Sequence, residues 1–312
     1  MLKFNSNHWA LILGGSSGFG LSTAKKLASH GMNIFIVHRD RRGAMERIEQ
    51  EFNEIRNHDV QFHSLNTDAL SAEGREKILQ EMHTKIPQDG KVRLLLHSIA
   101  FGNLKPIAPV ISEDPAQLAV AKLSEKLGVS REKLSEAVDC LLKEGISPLH
   151  SLHTVNYSEA LLGDEDMQQT IYNMGSSLLS WVQALHTQKL FCQDARVIGL
   201  TSEGNEIAWK GYAAVAAAKV ALESISRSIA VEFAPYGIRS NIIQPGVTPT
   251  PALRLIPGSL HMEAVAKLKN PFKRTTTPKD VADFIALMCT DEAAWVNGCI
   301  LRVDGGEHIS SL

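Results

Sequence analysis

Short apolar runs alternate with longer amphipathic stretches along the whole chain. Residues 9–13 (WALIL), 33–37 (NIFIV), 60–65, 93–97 (RLLLH), 195–201, 238–243 and 299–303 (CILRV) have the length and aliphatic content of buried strands. Between them, 18–30, 43–56, 72–86, 166–190, 213–233 and 279–290 carry apolar residues at helical spacing. This alternation predicts an α/β fold, a doubly wound parallel sheet with helices on both faces. Ligands of such sheets bind beyond the carboxyl ends of the strands.

One segment breaks the rhythm. After the strand ending near His97, about 65 residues pass before the next helix–strand unit, far more than an ordinary connection needs. Ser112-Glu113-Asp114-Pro115 is a helix-start signal, and Leu118, Leu123 and Leu127 then lead to Gly128. A second helix starts at Ser130, places Leu134, Val138, Leu141 and Leu142 on one face, and stops at Gly145. The expectation is a single domain over residues 1–312 with a helical hairpin inserted at about 111–160. The string LSEKLGVSREKLSEAVDCLL also resembles a DNA-reading helix-turn-helix. From Asp114 to Glu144, however, there are six acids and five bases, without the basic footprint that a phosphate backbone demands. A lid or packing element is the better reading.

Composition narrows the function classes. The chain has 312 residues, 44% of them hydrophobic, enough to bury a large core without disulfides or metals. Lys+Arg 32 against Asp+Glu 34 leaves no surplus for nucleic acid or an anionic membrane. Cys140, Cys192, Cys289 and Cys299 are scattered, and His150-x-x-His153 has no obvious sequence partners, so no metal site is expected. No apolar stretch reaches the length of a membrane span, and the N-terminal apolar run lacks a small-residue cleavage site. A cytoplasmic location is the expectation.

The first strand runs into Gly14-Gly15-Ser16-Ser17-Gly18-Phe19-Gly20 and then a helix. Glycines let a backbone turn sharply and approach a pyrophosphate, whose charge meets the helix N-terminus. The spacing of Gly14, Gly18 and Gly20 resembles that of the short-chain dehydrogenase/reductase family, a Rossmann-like family, although Leu13 stands where that family usually has Thr. The resemblance implies a nicotinamide cofactor held by Gly14, Ser16, Ser17, Gly18, Phe19 and Gly20. About 20 residues beyond such a loop an acid selects NAD, whereas Arg accepts the 2′-phosphate of NADP. Arg39, in VHRDRR, falls where NADP-dependent members place their Arg, so NADPH is expected in preference to NADH. The alternative is a solvated loop with Asp40 paired to a neighbour. Asn66 or Asp68 resembles the family's adenine-contacting position.

The family's chemistry rests on Ser, Tyr and Lys, with Tyr four residues before Lys. Lys219 and Ser202 hold their usual places here, but Val215 stands where the tyrosine belongs. The nearest phenol is Tyr212, three residues earlier, a displacement of about 4.5 Å along a helix. In ketone reduction the oxygen needing a proton lies on the carbon that accepts hydride. In enoyl-thioester reduction, charge develops on a carbonyl oxygen farther away, which suits a displaced phenol. The resulting Tyr-x6-Lys pattern resembles that of enoyl-acyl-carrier-protein reductases. So does the string at His97, Ser98, Ile99 and Ala100, where most members have Asn-Asn-Ala-Gly. Pro245, Gly246, Val247 and Thr250 resemble the family's PGxxxT segment, and CILRVDGGEHI its last strand and turn.

These resemblances imply site roles. Tyr212 donates a hydrogen bond to the thioester oxygen, Lys219 holds the nicotinamide ribose, and Asn173 bends the central helix and anchors a relay water. Ser202 takes the place of a second tyrosine, and His97, Ser98, Ile99, Pro245, Gly246, Val247 and Thr250 line the cofactor. The expected activity is NADPH-dependent reduction of an enoyl thioester borne by acyl carrier protein. A 3-oxoacyl or other carbonyl reductase and a non-catalytic NADPH-binding regulator are the alternatives. Alanines at 213, 214 and 216–218 permit close helix packing, and with the family's habit they imply a homotetramer.

Overall fold

The computed structural model describes residues 3–109 and 115–311. Its strands are β1 (His8–Leu13), β2 (Asn33–His38), β3 (Phe62–Asn66), β4 (Lys91–His97), β5 (Phe191–Leu200), β6 (Ile238–Pro245) and β7 (Ile300–Val303). They form one parallel sheet in the order β3-β2-β1-β4-β5-β6-β7. The helices are α1 (Gly18–Ala28), α2 (Met45–Arg56), α3 (Ala72–Lys85), α4 (Pro115–Leu127), α5 (Arg131–Lys143), α6 (Asp164–Ile171), α7 (Ser177–Thr187), α8 (Ala213–Glu232), α9 (Ser259–Lys269) and α10 (Pro278–Met288).

Alternation along each strand divides the core between two faces. Ala10, Ile12, Ile34, Ile36, Leu94 and Leu96 point to one side, against α1, α2 and α10. Trp9, Leu11, Leu13, Phe35, Val37 and Leu95 point to the other, against α3, α7 and α8. The central strands are apolar on both faces because both are covered. Sequence order runs outward in both directions from the β1–β4 pair. At such a reversal the loops leaving adjacent strands diverge and open a crevice.

At the amino ends of the strands, three arginines converge on Asp194. Arg93 donates to it at 2.6 Å and Arg196 at 3.0 Å, and Arg239 also pairs with it. Arg93 donates to the Cys289 carbonyl at 2.9 Å, and Arg196 to those of Met288 and Thr290 at 2.9 and 3.1 Å. The carbonyls left open where α10 ends are thus satisfied by side chains from the sheet.

The long helix expected over 166–190 is broken. A π turn, Tyr172–Ser176, separates α6 from α7. Helix α9 was not expected; the residues it buries are Met262, Ala264 and Ala266, too small a stripe to stand out. The hairpin is present as α4 and α5, while Ser112, Glu113 and Asp114 lie outside the described residues. Gly128 and Gly145 end its helices with φ of 67° and 95°, in the left-handed region that glycine tolerates. Val138 and Leu142 of α5 pack on Ala264 of α9, flanked by Leu149, Leu152 and Leu260.

Asp194 supplies the main negative charge to three guanidinium groups. Against the cost of its burial, the hydrogen bonds and charge of Arg196 and Arg93 hold its carboxyl down at about 2. Asp194→Ala should lower the unfolding free energy by about 3 kcal/mol, the low end for removing one partner of a buried ion pair. Urea denaturation at neutral pH measures it. A depressed carboxyl contributes stability that is lost as pH falls, so the wild-type advantage should shrink between pH 3.8 and 2.

Candidate active site

A cavity of about 620 Å³ opens beyond the carboxyl ends of β1, β4, β5 and β6. Gly14 leaves β1 with φ 85°, and a Cβ there would lie 2.4 Å from the Ser98 carbonyl oxygen. Only glycine permits that approach. The turn is braced by backbone bonds, with Ser98 N donating to Leu13 O at 2.9 Å and Gly14 N to Val37 O at 2.8 Å. These bonds hold the turn where the family usually has a threonine. Ser16, Ser17, Gly18 and Phe19 line the cavity where α1 begins, and no acid occupies the first turn of that helix. Its open N–H groups and positive dipole end suit a phosphate. Gly20 is not among the lining residues. A Cβ there would meet the Gly14 carbonyl oxygen at 2.2 Å, so its smallness lets α1 lie against the loop.

Arg39 lines the cavity beside β2 and is half-exposed. Its guanidinium donates to Asp68 at 3.1 Å and sits 4.4 Å from the centre of the Phe101 ring. Asp40 turns instead to the Nδ1 atom of His38, at 2.9 Å. Of the two candidates after β3, Asp68 lines the cavity. Asn66 is directed to the backbone of Asp40, accepting at 3.1 Å and donating at 3.0 Å. It latches the β2–α2 connection and is not part of the cavity wall.

Ser98 and Ile99 line the cavity, but His97 lies beneath it. Ser177 Oγ donates to the Asn173 carbonyl at 3.0 Å, so at 2.8 Å it accepts from His97 Nε2. Burial, and then the charge of Lys219, lower the His97 pKa to about 3, leaving the ring neutral. Asn173 sits in the π turn and is likewise absent from the wall. Its amide donates to the Phe101 carbonyl at 3.1 Å, and the same turn presents Met174 to the cavity.

Ser202, Tyr212 and Lys219 all line the cavity. Tyr212 is the N-cap of α8, just outside the helix, so its displacement from the usual position is not a simple helical rise. Its hydroxyl lies 3.3 Å from Ser202 Oγ, and burial raises its pKa. The ring packs on Gly204, where a Cβ would be 2.5 Å from Cε1. Val215 lines the cavity as an apolar neighbour. Lys219 is 7% exposed and donates to the Leu200 carbonyl at 2.7 Å. Burial lowers its pKa to about 8, opposed by the charge of Glu223.

Pro245, Gly246, Val247 and Thr250 form the facing wall. Sequence reading missed Glu307 there. It is 4% exposed, its Oε1 accepts from Val247 N at 3.1 Å, and its Oε2 finds no partner among the described residues. Burial pushes its carboxyl up to about 7. A glutamate after a Gly-Gly turn gives no sequence signal of burial. Apolar surface in the wall comes from Phe101, Leu104, Trp209, Leu255, Ile256 and Met262.

The described residues of the hairpin do not line the cavity. They back α9, which contributes Met262 to it. The two histidines of His150-x-x-His153 also act there, with His153 Nδ1 2.7 Å from Asp139 and His261 Nδ1 3.0 Å from the His150 carbonyl. Among the described residues no cluster of three metal-ligating side chains occurs, and no helix is long and apolar enough to cross a membrane.

A family model described as enoyl-(acyl carrier protein) reductase matches residues 145–308, and one described as short chain dehydrogenase matches residues 8–120. The chain is 36% identical over 124 residues to 1-cyclohexenylcarbonyl-CoA reductase of Streptomyces collinus, a match spanning 39% of this chain and 44% of that protein. It is 25% identical to trans-4-hydroxycyclohexanecarboxylate dehydrogenase of Sinomonas cyclohexanicum over 96% of this chain and 92% of that one. Among solved structures it is similar to FabI from Candidatus Liberibacter asiaticus, with TM-score 0.72, 19% identity, and 100% and 99% of the two chains covered. It is also similar to the enoyl-[acyl-carrier-protein] reductase (NADH) of Aquifex aeolicus, with TM-score 0.69, 20% identity, and 98% of each chain covered. At these identities the structural likeness speaks for the fold alone.

The wall carboxyl of Glu307 gives a stability test. Its folded pKa of about 7 lies above the ordinary 4.5, so folding opposes ionisation and wild-type stability falls as pH rises between those values. Glu307→Gln keeps an acceptor for Val247 N and cannot ionise. Thermal unfolding of the cofactor-free protein should show the variant gaining on wild type at pH 8 and hardly at pH 5. An equal difference at both pH values would count against a buried, ionising Glu307.

Proposed function

The chain belongs to the short-chain dehydrogenase/reductase family, whose fold binds a nicotinamide cofactor, and we propose that this oxidoreductase reduces the 2,3 double bond of an enoyl thioester, carried by acyl carrier protein, with NADPH. The observation that carries the proposal is Tyr212, a buried phenol in the cavity wall seven residues before Lys219, with Val215 at the ketoreductase position. The family model over residues 145–308 and the alkenyl-carbonyl thioester named in the Streptomyces relative lend support.

The cavity residues fit the cofactor. Its pyrophosphate has the N-terminus of α1 with Ser16, Ser17 and Gly18, where glycine geometry leaves space for backbone approach. Arg39 is the candidate for the 2′-phosphate. Its pair with Asp68 is exposed on both sides and therefore weak, so the guanidinium is free to turn to a dianion. Lys219, the buried cation of the site, is assigned to the ribose hydroxyls. The bound cofactor supplies the hydride.

The chain supplies the electrostatics. Tyr212 holds its proton throughout the physiological range because burial raises its pKa, and it donates a hydrogen bond to the thioester oxygen as enolate charge develops. Ser202 Oγ, 3.3 Å away, orients the phenol, and Lys219 adds positive potential nearby. Leu104, Trp209, Ile256 and Met262 offer apolar surface to an acyl chain. A second reading, reduction of a 3-oxoacyl or other carbonyl, draws on the same 3.3 Å contact, because two converging hydroxyls also suit a ketone oxygen.

A side-by-side assay of enoyl and 3-oxoacyl thioesters with NADPH distinguishes the two. The enoyl substrate should be turned over, and efficient use of the 3-oxoacyl substrate alone would overturn the proposal. Tyr212→Phe should lower kcat for the enoyl thioester by about 10²–10³ with NADPH binding retained, the usual loss for one donor aimed at developing charge.

Cofactor choice is tested separately. Arg39→Ala should weaken NADPH binding about 10- to 100-fold, as expected for one charge-assisted hydrogen bond, and leave NADH almost unaffected. Equal binding of the two cofactors by the unaltered protein would refute the assignment of Arg39.

A further inference from the structure

Beneath Lys219 lies a buried acid that the chemistry above does not use. Glu223 is one helical turn further along α8 and 7% exposed. Its Oε1 accepts from the hydroxyl of Thr201 and, at 2.7 Å, from the amide of Asn205. Thr201 stands between Leu200, whose carbonyl receives the Lys219 ammonium, and Ser202, whose hydroxyl meets Tyr212. Asn205 closes the short turn after Ser202, its backbone N–H donating to the Ser202 carbonyl at 3.1 Å. One carboxyl therefore touches both ends of the segment that carries the lysine's acceptor and the serine.

We propose that Glu223 is a positioning residue for the reaction, sustaining the charge of Lys219 from below and fixing residues 200–205 so that Ser202 meets Tyr212. The proposal rests on the roles given above to Lys219 and Ser202. Burying an ammonium is costly unless a compensating charge lies near. The charge of Lys219 is felt by neutral His97 on β4, and the effect of its own burial is opposed by Glu223 on the same helix. Of these two neighbours, Glu223 is the one that favours the protonated lysine. The i, i+4 spacing puts both side chains on one face of α8, so the carboxylate acts on the ammonium through space while its hydrogen bonds go to Thr201 and Asn205.

The test reads Lys219 in the cofactor-free protein, by NMR titration of lysine Cε and Nζ resonances with Lys219 assigned by substitution. Glu223→Gln retains an acceptor for Thr201 and Asn205 but removes the charge. The Lys219 titration should then fall by about one unit, the low end of what a close opposite charge imposes. Binding of NADPH, followed by its fluorescence, should lose its high-pH limb at correspondingly lower pH and match wild type near pH 6. Thr201→Val leaves the charge in place and frees the segment. It should leave the Lys219 titration unmoved and lower kcat with little change in the affinity for NADPH. Glu223→Asp, which restores a charge, should recover most of the wild-type titration and guards against a fold that tolerates no change. An unshifted Lys219 in folded Glu223→Gln protein would overturn the proposal. So would a Thr201→Val variant with wild-type kcat. Failure to reduce any enoyl thioester would sink the substrate reading and leave the lysine titration standing on its own.

Discussion

Where β1 and β4 end side by side, Gly14 passes so close to the Ser98 carbonyl that no side chain fits between them. That single close approach lets the two connections part, one toward α1 and the other across the top of the sheet. Space for a dinucleotide exists because the backbone itself, bonded through Ser98 N to Leu13 O, forms the floor. Every later feature of the cavity takes its position from this floor. The N-terminus of α1 lies on one side of it, and the ends of β5 and β6 lie on the other.

The polar groups at and beneath the cavity wall are buried, and this shapes its chemistry. His97, Asn173, Lys219 and Glu223 are all buried, and each has a hydrogen-bond partner close by. The hydrogen-bond chain from His97 through Ser177 to the Asn173 carbonyl runs into the π turn. It ties the distorted turn between α6 and α7 to the end of β4. In this low-dielectric layer a charge is felt strongly over a single helical turn. A change of one carboxyl can therefore be felt at the cavity wall without touching it.

Much of this architecture was legible beforehand, for reasons that differ from element to element. Strands such as β1 and β2 stood out because both faces are covered and their sequences are almost wholly apolar. The glycine loop was legible because its spacing reflects contacts that forbid a Cβ at Gly14 and Gly20. The two glycines nonetheless serve different ends, one at the cavity and one beneath it. Helix α9 escaped because alanines give a weak periodic signal. Asn66 and Asp68, two residues apart, could be separated only by seeing which one is bound to the Asp40 backbone. The contact of Tyr212 with Ser202 escaped counting along a helix, because α8 begins one residue after the tyrosine. Glu307 escaped altogether, since nothing local marks a surface-type residue that tertiary packing buries.

The insertion has a mechanical consequence. Its second helix and the turn that follows lie behind α9, on the side away from the cavity, through Val138, Leu142, Leu149 and Ala264. Met262, on the same helix, faces inward. A guest that pushes Met262 outward would have to drive α9 into a packed layer rather than into solvent, separating close-packed aliphatic groups. The wall thus behaves as a shelf with a bracket behind it, and the length of guest it tolerates is set by side chains that the guest never meets.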